Sequence, residues 1–164
     1  TMQVKALIAL ALLTTLSPAS QATNLMYMPF EKVVADAERA GRLDGSVSFH
    51  LAGNPLPPVL QVRLTEVTTN KKTNAFNKSD IAACEWALQS ALITLQAAAK
   101  RVGANAVTNI VSYYKHHVRK DLNTYECHAG VLMAGVALRG DLVNLQAPVR
   151  PNSPSGRSPG LARQ

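Results

Sequence analysis

The stretch from Asn77 to Tyr114 most constrains what this chain can fold into. It reads Asn77-Lys78-Ser79-Asp80, then Ile81 to Val102, then Gly103-Ala104-Asn105-Ala106-Val107, and ends at Tyr113-Tyr114. Ser79 can accept a backbone N–H as helix N-cap, with Asn77 as the alternative. Asp80 and Glu85 place negative charge near the positive helix end, and Lys100 and Arg101 place positive charge near the other. Ile81, Cys84, Leu88, Leu92, Leu95, Ala99 and Val102 recur at spacings of three and four, an amphipathic stripe of about six turns. The alanines beside it let the helix lie close to a sheet. Gly103 stops the helix, and Ala106 to Tyr114 has the Val, Ile and Tyr content of a strand.

The flanking segments supply partners for this unit. Phe30, Val33, Val34, Ala37 and Ala40 predict a short helix that starts at Pro29 and stops at Gly41. Gly45 to Ala52 alternates, with Val47, Phe49 and Leu51 on one face, and predicts a half-buried strand. Asn54-Pro55-Leu56-Pro57-Pro58 is a stiff loop. Val59 to Thr68 alternates again, and Thr69 to Lys78 reads as a polar, basic, exposed connection. Lys115 to Thr124 reads as a turn. Tyr125 to Leu138 is apolar on both faces, as in a central or long bent strand, and Gly130, Gly135 and Gly140 punctuate it. A glycine inside a strand marks a bulge or a close approach by another element. Leu142, Val143 and Leu145 close the fold. The expected order is helix, strand, strand, long helix, strand, strand. That is an α+β domain over residues 23–145, with about four mostly antiparallel strands and the long helix packed on one face.

The two ends read differently. Lys5, the apolar run Ala6 to Leu16, and Ser20-Gln21-Ala22 predict a secretory signal cleaved after Ala22. The run is too short to span a bilayer, and no later segment approaches that length. No cysteine follows it to take a lipid. The expectation is an exported protein, periplasmic in a diderm bacterium. From Gln146 onward Pro, Ser, Gly and Arg dominate without hydrophobic periodicity, which predicts a disordered basic tail. The formal charge is +7, and much of it sits at the ends. Residues 23–145 carry thirteen basic and ten acidic side chains. Such a chain can meet anionic lipid, lipopolysaccharide or nucleic acid, although charge for solubility is the plainer explanation.

Two cysteines in an exported chain most simply make one disulfide, Cys84 to Cys127, joining the helix stripe to the strand beneath it. His116, His117 and His128 could meet as metal ligands if their strands form a hairpin, but their spacing matches no closed-site signature. His50 reads as a surface strand residue. Phosphate-loop, GxSxG, HExxH and CxxC motifs are absent, and no carboxylate pair has acid/base spacing. Lys71, Lys72 and Lys78 lack the interleaved aromatics of a single-strand nucleic-acid binder, so no nucleic-acid partner is expected.

Three stretches carry a resemblance. They are Asn70 to Asp80, Gly103 to Lys115, and Tyr125-Glu126-Cys127-His128-Ala129-Gly130 continuing to Leu138. Together they resemble a family of small exported bacterial proteins often carried under an "excinuclease ABC" label, over about residues 46–145. The label conflicts with the residues, because a repair ATPase needs phosphate loops and zinc-binding cysteine pairs, and this chain has neither. The central unit is also similar to YbjQ-like domains and to the periplasmic domain of the Rcs outer-membrane stress-sensor lipoprotein. That similarity implies a compact α+β module, oligomerisation in the first group and disulfides in the second. The missing lipid-attachment cysteine departs from the sensor, so membrane anchoring does not carry over.

The expected function is therefore a non-enzymatic exported module that binds an envelope protein or an anionic envelope component, open to homo-oligomerisation. Lys71, Lys72, Asn74 and Lys115 are the candidate contact residues. A metal-binding protein using the three histidines, and a hydrolase with an unrecognised site, are the alternatives.

Overall fold

The computed structural model describes residues 23–147, so the expected signal (1–22) and nearly all of the expected tail (146–164) lie outside the described residues. The chain folds as β1 (Asn24–Pro29), α1 (Phe30–Arg39), β2 (Ser48–Leu51), β3 (Val59–Asn74), α2 (Asp80–Arg101), β4 (Ala106–Ser112), β5 (Thr124–Ala129) and β6 (Met133–Leu145). The α+β class is as expected. The sheet is larger than the four strands predicted: among the described residues it has six, ordered β1-β5-β6-β4-β2, with β3 also pairing with β6. It is mixed, since β2 runs parallel to β4.

Most of the central unit forms as its sequence dictates, although β4 ends at Ser112, short of the expected Tyr114. Ser79 Oγ accepts the Ala82 N–H at 3.1 Å, so Ser79 is the N-cap. The helix buries Cys84, Leu88, Leu92, Leu95 and Ala99, with Ala83, Ala87 and Ala91 filling the close approach to the sheet. Ile81, placed on the stripe by its spacing, is exposed instead. Gly103 takes φ +70°, the left-handed conformation that ends a helix without a Cβ penalty. Cys84 and Cys127 form a disulfide with a Cα–Cα separation of 5.8 Å, linking α2 to β5.

The asparagines after Gly103 are structural. Asn105 Nδ2 donates to the Leu145 carbonyl at 2.9 Å, and its Oδ1 accepts the Leu145 N–H at 2.8 Å. This side chain caps the end of β6 as a strand would. Asn109 sits at φ 51° in a bulge of β4 and donates to Asp141 Oδ2 at 2.8 Å. Opposite that bulge is Gly140, where a Cβ would lie 2.9 Å from Val107 Cγ1 and 3.1 Å from the Thr108 carbonyl oxygen. The glycine thus marks a close approach by a neighbouring strand.

Three expectations are corrected. First, β1 precedes the first helix and pairs antiparallel with β5 from Asn24–Ala129 to Pro29–Thr124. Second, the Tyr125–Leu138 segment is two strands: β5 ends at Ala129, a short turn intervenes, and β6 runs on to Leu145. Third, Thr69 to Asn74 is strand rather than exposed connection. It pairs with β6 from Thr69–Leu138 to Asn74–Met133, because a long central partner overrides the low strand propensity of Asn and Lys. The first half of β3 keeps Leu60, Val62 and Leu64 exposed, so the alternation there does not mark a buried face. Among the described residues, no helix is long and apolar enough to cross a membrane.

Both helices lie on one face of the sheet. The core between them includes Phe30, Val33, Phe49, Leu88, Leu92, Ile110, Tyr125 and Leu138. Tyr125 is fully buried and points its hydroxyl at Met28 Sδ, 3.7 Å away. Burial, with Glu85 adding a smaller push, raises its phenol pKa far above the ordinary value. The opposite face of the sheet carries an open surface groove.

Candidate cationic groove

The groove is formed by β3, β6 and the connection from β4 to β5. Side chains alternate along β3. Thr73 Oγ1 donates to the Ala83 carbonyl of α2 at 3.0 Å, which puts Thr73 and Lys71 on the helix side. Thr68, Asn70 and Lys72 therefore project from the other face. On β6 the neighbouring positions are Ala137 and Gly135, small enough to leave a depression. Tyr113 donates its N–H to the Ala137 carbonyl at 2.9 Å, which draws the connection onto β6 and forms the second wall.

That connection is held at several points. Ser112 and Arg119 exchange two backbone hydrogen bonds of 2.9 and 3.0 Å. Ser112 Oγ accepts the Glu126 N–H at 2.9 Å. The Arg119 guanidinium reaches Asp121 at 3.0 Å and Thr124 Oγ1 at 3.1 Å, and lies 4.0 Å from the Tyr27 ring centroid. Asp121 Oδ1 in turn accepts the N–H groups of Asn123 and Thr124, and these bonds lower its pKa. Within this frame Lys115 and His116 adopt left-handed backbone, with φ 49° and 65°. Neither is glycine or asparagine, so each is strained by about 1 kcal/mol or more. Such strain persists only where surrounding contacts over-determine it.

The result is a groove of about 440 Å³ whose lining includes Thr68, Asn70, Lys72, Tyr113, Tyr114, Lys115, His116 and Ala137, with no carboxylate among these described residues. A smaller recess of about 170 Å³ adjoins it, sharing Lys72 and Tyr114 and adding His128 and Gly135. The aromatic rings are fixed by their neighbours. Tyr114 stacks on His128 with centroids 3.4 Å apart, and His128 Nε2 meets Glu126 Oε1 at 2.5 Å. Tyr113 meets His116 edge-on at 5.4 Å, and the Arg139 guanidinium lies 4.8 Å from the Tyr113 centroid. Arg139 pairs with Glu66 at 3.3 Å. By contrast, no salt bridge engages Lys72 or Lys115 among the described residues.

The structure sorts the residues singled out by sequence. Lys72, Lys115 and His116 come together at the groove. Lys71 lies on the helix side of β3. Asn74 ends the strand, where its Oδ1 accepts the Phe76 N–H at 2.8 Å to form a turn. His117 is exposed beyond the groove, and His128 lies under Tyr114. Among the described residues, no three His, Cys, Asp or Glu side chains form a group that could hold a metal ion. His128 with Glu126 resembles an oriented base, but the adjacent Cys127 thiol is consumed in the disulfide and its side chain points to the opposite, buried face. His50 bonds Ser48 Oγ at 2.9 Å beside a shallow recess near Glu31. Burial lowers the His50 pKa and raises that of Glu31, so both are pushed toward their neutral forms.

Sequence reasoning missed Thr68, Asn70 and Ala137. Once Thr69–Asn74 is known to be strand, period-two alternation from Lys72 finds the first two.

No protein-family model matches the chain, and no curated protein matches it either.

Proposed function

We propose that this protein is an exported binding module that takes an anionic ligand, a phosphate- or carboxylate-bearing envelope component, in the groove between β3 and the β4–β5 connection. One observation carries the reading: Lys72 and Lys115 flank an open groove whose described lining contains no carboxylate. Two unneutralised ammonium groups around one depression raise the local positive potential and favour an anion there. Asn70 and Thr68 add neutral hydrogen-bonding groups, and the tyrosines add flat apolar surface. The strained Lys115–His116 backbone fits the same reading, since strain concentrates where geometry serves a ligand.

Export is supported by the N-terminal pattern and by the Cys84–Cys127 disulfide, which suits an oxidising compartment. Placement among the small exported bacterial proteins described above is part of the same proposal. A processed N-terminus at Thr23 in protein recovered from cells is the expected result, and a retained N-terminus would remove export by this signal.

The test is capture from cross-linked envelope extracts with wild-type protein and the Lys72→Glu/Lys115→Glu variant. The wild type should enrich a phosphate- or carboxylate-bearing component that the variant does not. Equal capture by both, with both folded, would sink the groove as the site.

A further inference from the structure

The end of the molecule where β3 turns into α2 carries a second, separate surface. Two turns meet there. The β5–β6 turn reads Gly130-Val131-Leu132 and enters β6 at Met133. The β3–α2 turn presents Phe76. They are tied side by side by the Ala75 N–H donating to the Leu132 carbonyl at 2.8 Å and by the Asn74–Met133 pairing. Turns in water are ordinarily built from Gly, Pro, Asn, Asp and Ser. Here Val131 is 73% exposed, Phe76 60% and Leu132 54%. Ile81, the residue that left the buried stripe of α2, is exposed at the same end.

The charges around this apolar tip are lopsided. Lys72 and Lys78 are exposed and Lys71 partly so, and Lys78 Nζ donates to the Asn74 carbonyl at 2.9 Å. The one carboxylate in these turns, Asp80, is engaged by Asn24 Nδ2 at 2.8 Å. A protruding apolar tip ringed by lysines matches the chemistry of a bilayer interface, with acyl chains below and anionic headgroups around. We propose that this end docks onto an anionic lipid bilayer, with Val131, Leu132 and Phe76 entering the interface and Lys71, Lys72 and Lys78 meeting the headgroups. The mode is peripheral. It gives a reason for an exposed apolar turn that folding alone disfavours, and it would hold the groove, which lies on the sheet face behind the tip, near a membrane surface.

The experiment compares variants in the same full chain, so that any contribution from the terminal segments is constant. Co-sedimentation uses vesicles of phosphatidylcholine alone and of phosphatidylcholine with phosphatidylglycerol. Binding should require the anionic lipid and weaken as salt rises. Val131→Asp/Leu132→Asp should weaken it at least tenfold, in keeping with two buried aliphatic side chains lost. Each Lys→Gln change at positions 71 and 78, which lie outside the groove lining, should weaken it about fivefold. To separate tip insertion from attachment elsewhere, Leu132→Trp is placed in a Trp86→Phe background. Emission from the introduced indole should shift to the blue on anionic vesicles and be quenched by brominated acyl chains. Wild-type affinity in the folded double aspartate variant, or indole emission unchanged by vesicles, would overturn the proposal. Loss of self-association in the aspartate variant without loss of vesicle binding would assign the tip to a protein contact and overturn it too. Neither Val131 nor Leu132 lines the groove, so this result stands or falls independently of anion binding at Lys115.

Discussion

Removing the Cys84–Cys127 crosslink should cost a large share of the protein's stability. The bond joins residues 43 apart in sequence and clamps the buried face of α2 to β5. In the loop-closure treatment a crosslink of that span removes about 13 cal/mol/K of unfolded-chain entropy, or about 4 kcal/mol at 25 °C. A domain of this size is typically stable by only about 5–15 kcal/mol. The clean perturbation is Cys84→Ala/Cys127→Ala. Both cysteines are fully buried, alanine adds no polar group to the core, and several neighbours on α2 are already alanine. The assay is urea unfolding followed by far-UV circular dichroism, with wild type measured under oxidising and reducing conditions. With a denaturant slope of about 1.5–2 kcal/mol/M, the midpoint should fall by about 2–3 M in the variant and by a similar amount in the reduced wild type. A fall of less than about 0.5 M with an unchanged slope would refute the reasoning. So would two freely alkylated thiols in protein recovered from an oxidising compartment.

Gly140→Ala should destabilise the fold by about 1–3 kcal/mol in the same assay, because the new methyl meets Val107 and the Thr108 carbonyl across the β4 bulge. Ser79→Ala removes the α2 cap and should cost about 1 kcal/mol, with Ser79→Gly costing less. Acid should destabilise the protein through Asp44 and Asp121. Asp44 is lowered by Lys100 and then by Ser46, and Asp121 by the N–H groups of Asn123 and Thr124, both from an ordinary value of 3.8. A carboxyl that releases its proton more readily when folded contributes fully above that value and loses the contribution as pH falls through its folded pKa. Thermal melts should therefore drop below about pH 4, and the drop should be shallower in Asp121→Asn, which should already melt lower than wild type at neutral pH.

The central unit was legible in the sequence because local signals there agree with the tertiary outcome. Ser79, the stripe from Cys84 to Ala99, Gly103 and the Val/Ile run after it all point the same way. β1 escaped notice for the opposite reason. Leu25, Met26, Tyr27 and Met28 are all apolar, so no period-two contrast marks a strand, although Met28 is buried and Tyr27 exposed. Thr69–Asn74 looked like a loop because Thr, Asn and Lys dominate it, and only its pairing with β6 makes it strand. The glycines of the C-terminal half announced close approaches without telling a turn at Gly130 from a packing contact at Gly140. The groove was half legible. Lys72 and Lys115 stood out as basic residues in polar segments. Their meeting depends on the path of the β4–β5 connection, and nothing in the composition of Lys115-His116 foretells two successive left-handed residues there. The apolar tip was hidden in a run that reads as continuous strand.

The most direct test of the central claim is an NMR titration of uniformly 15N-labelled protein with pyrophosphate, and separately with citrate, at low salt. The groove account predicts saturable amide shifts concentrated at Thr68–Lys72 and Tyr113–His116 with at least one of the two anions, abolished in Lys72→Glu/Lys115→Glu. Saturable shifts centred elsewhere, or shifts that persist unchanged in the folded double variant, or no saturable shift with either anion, would contradict it.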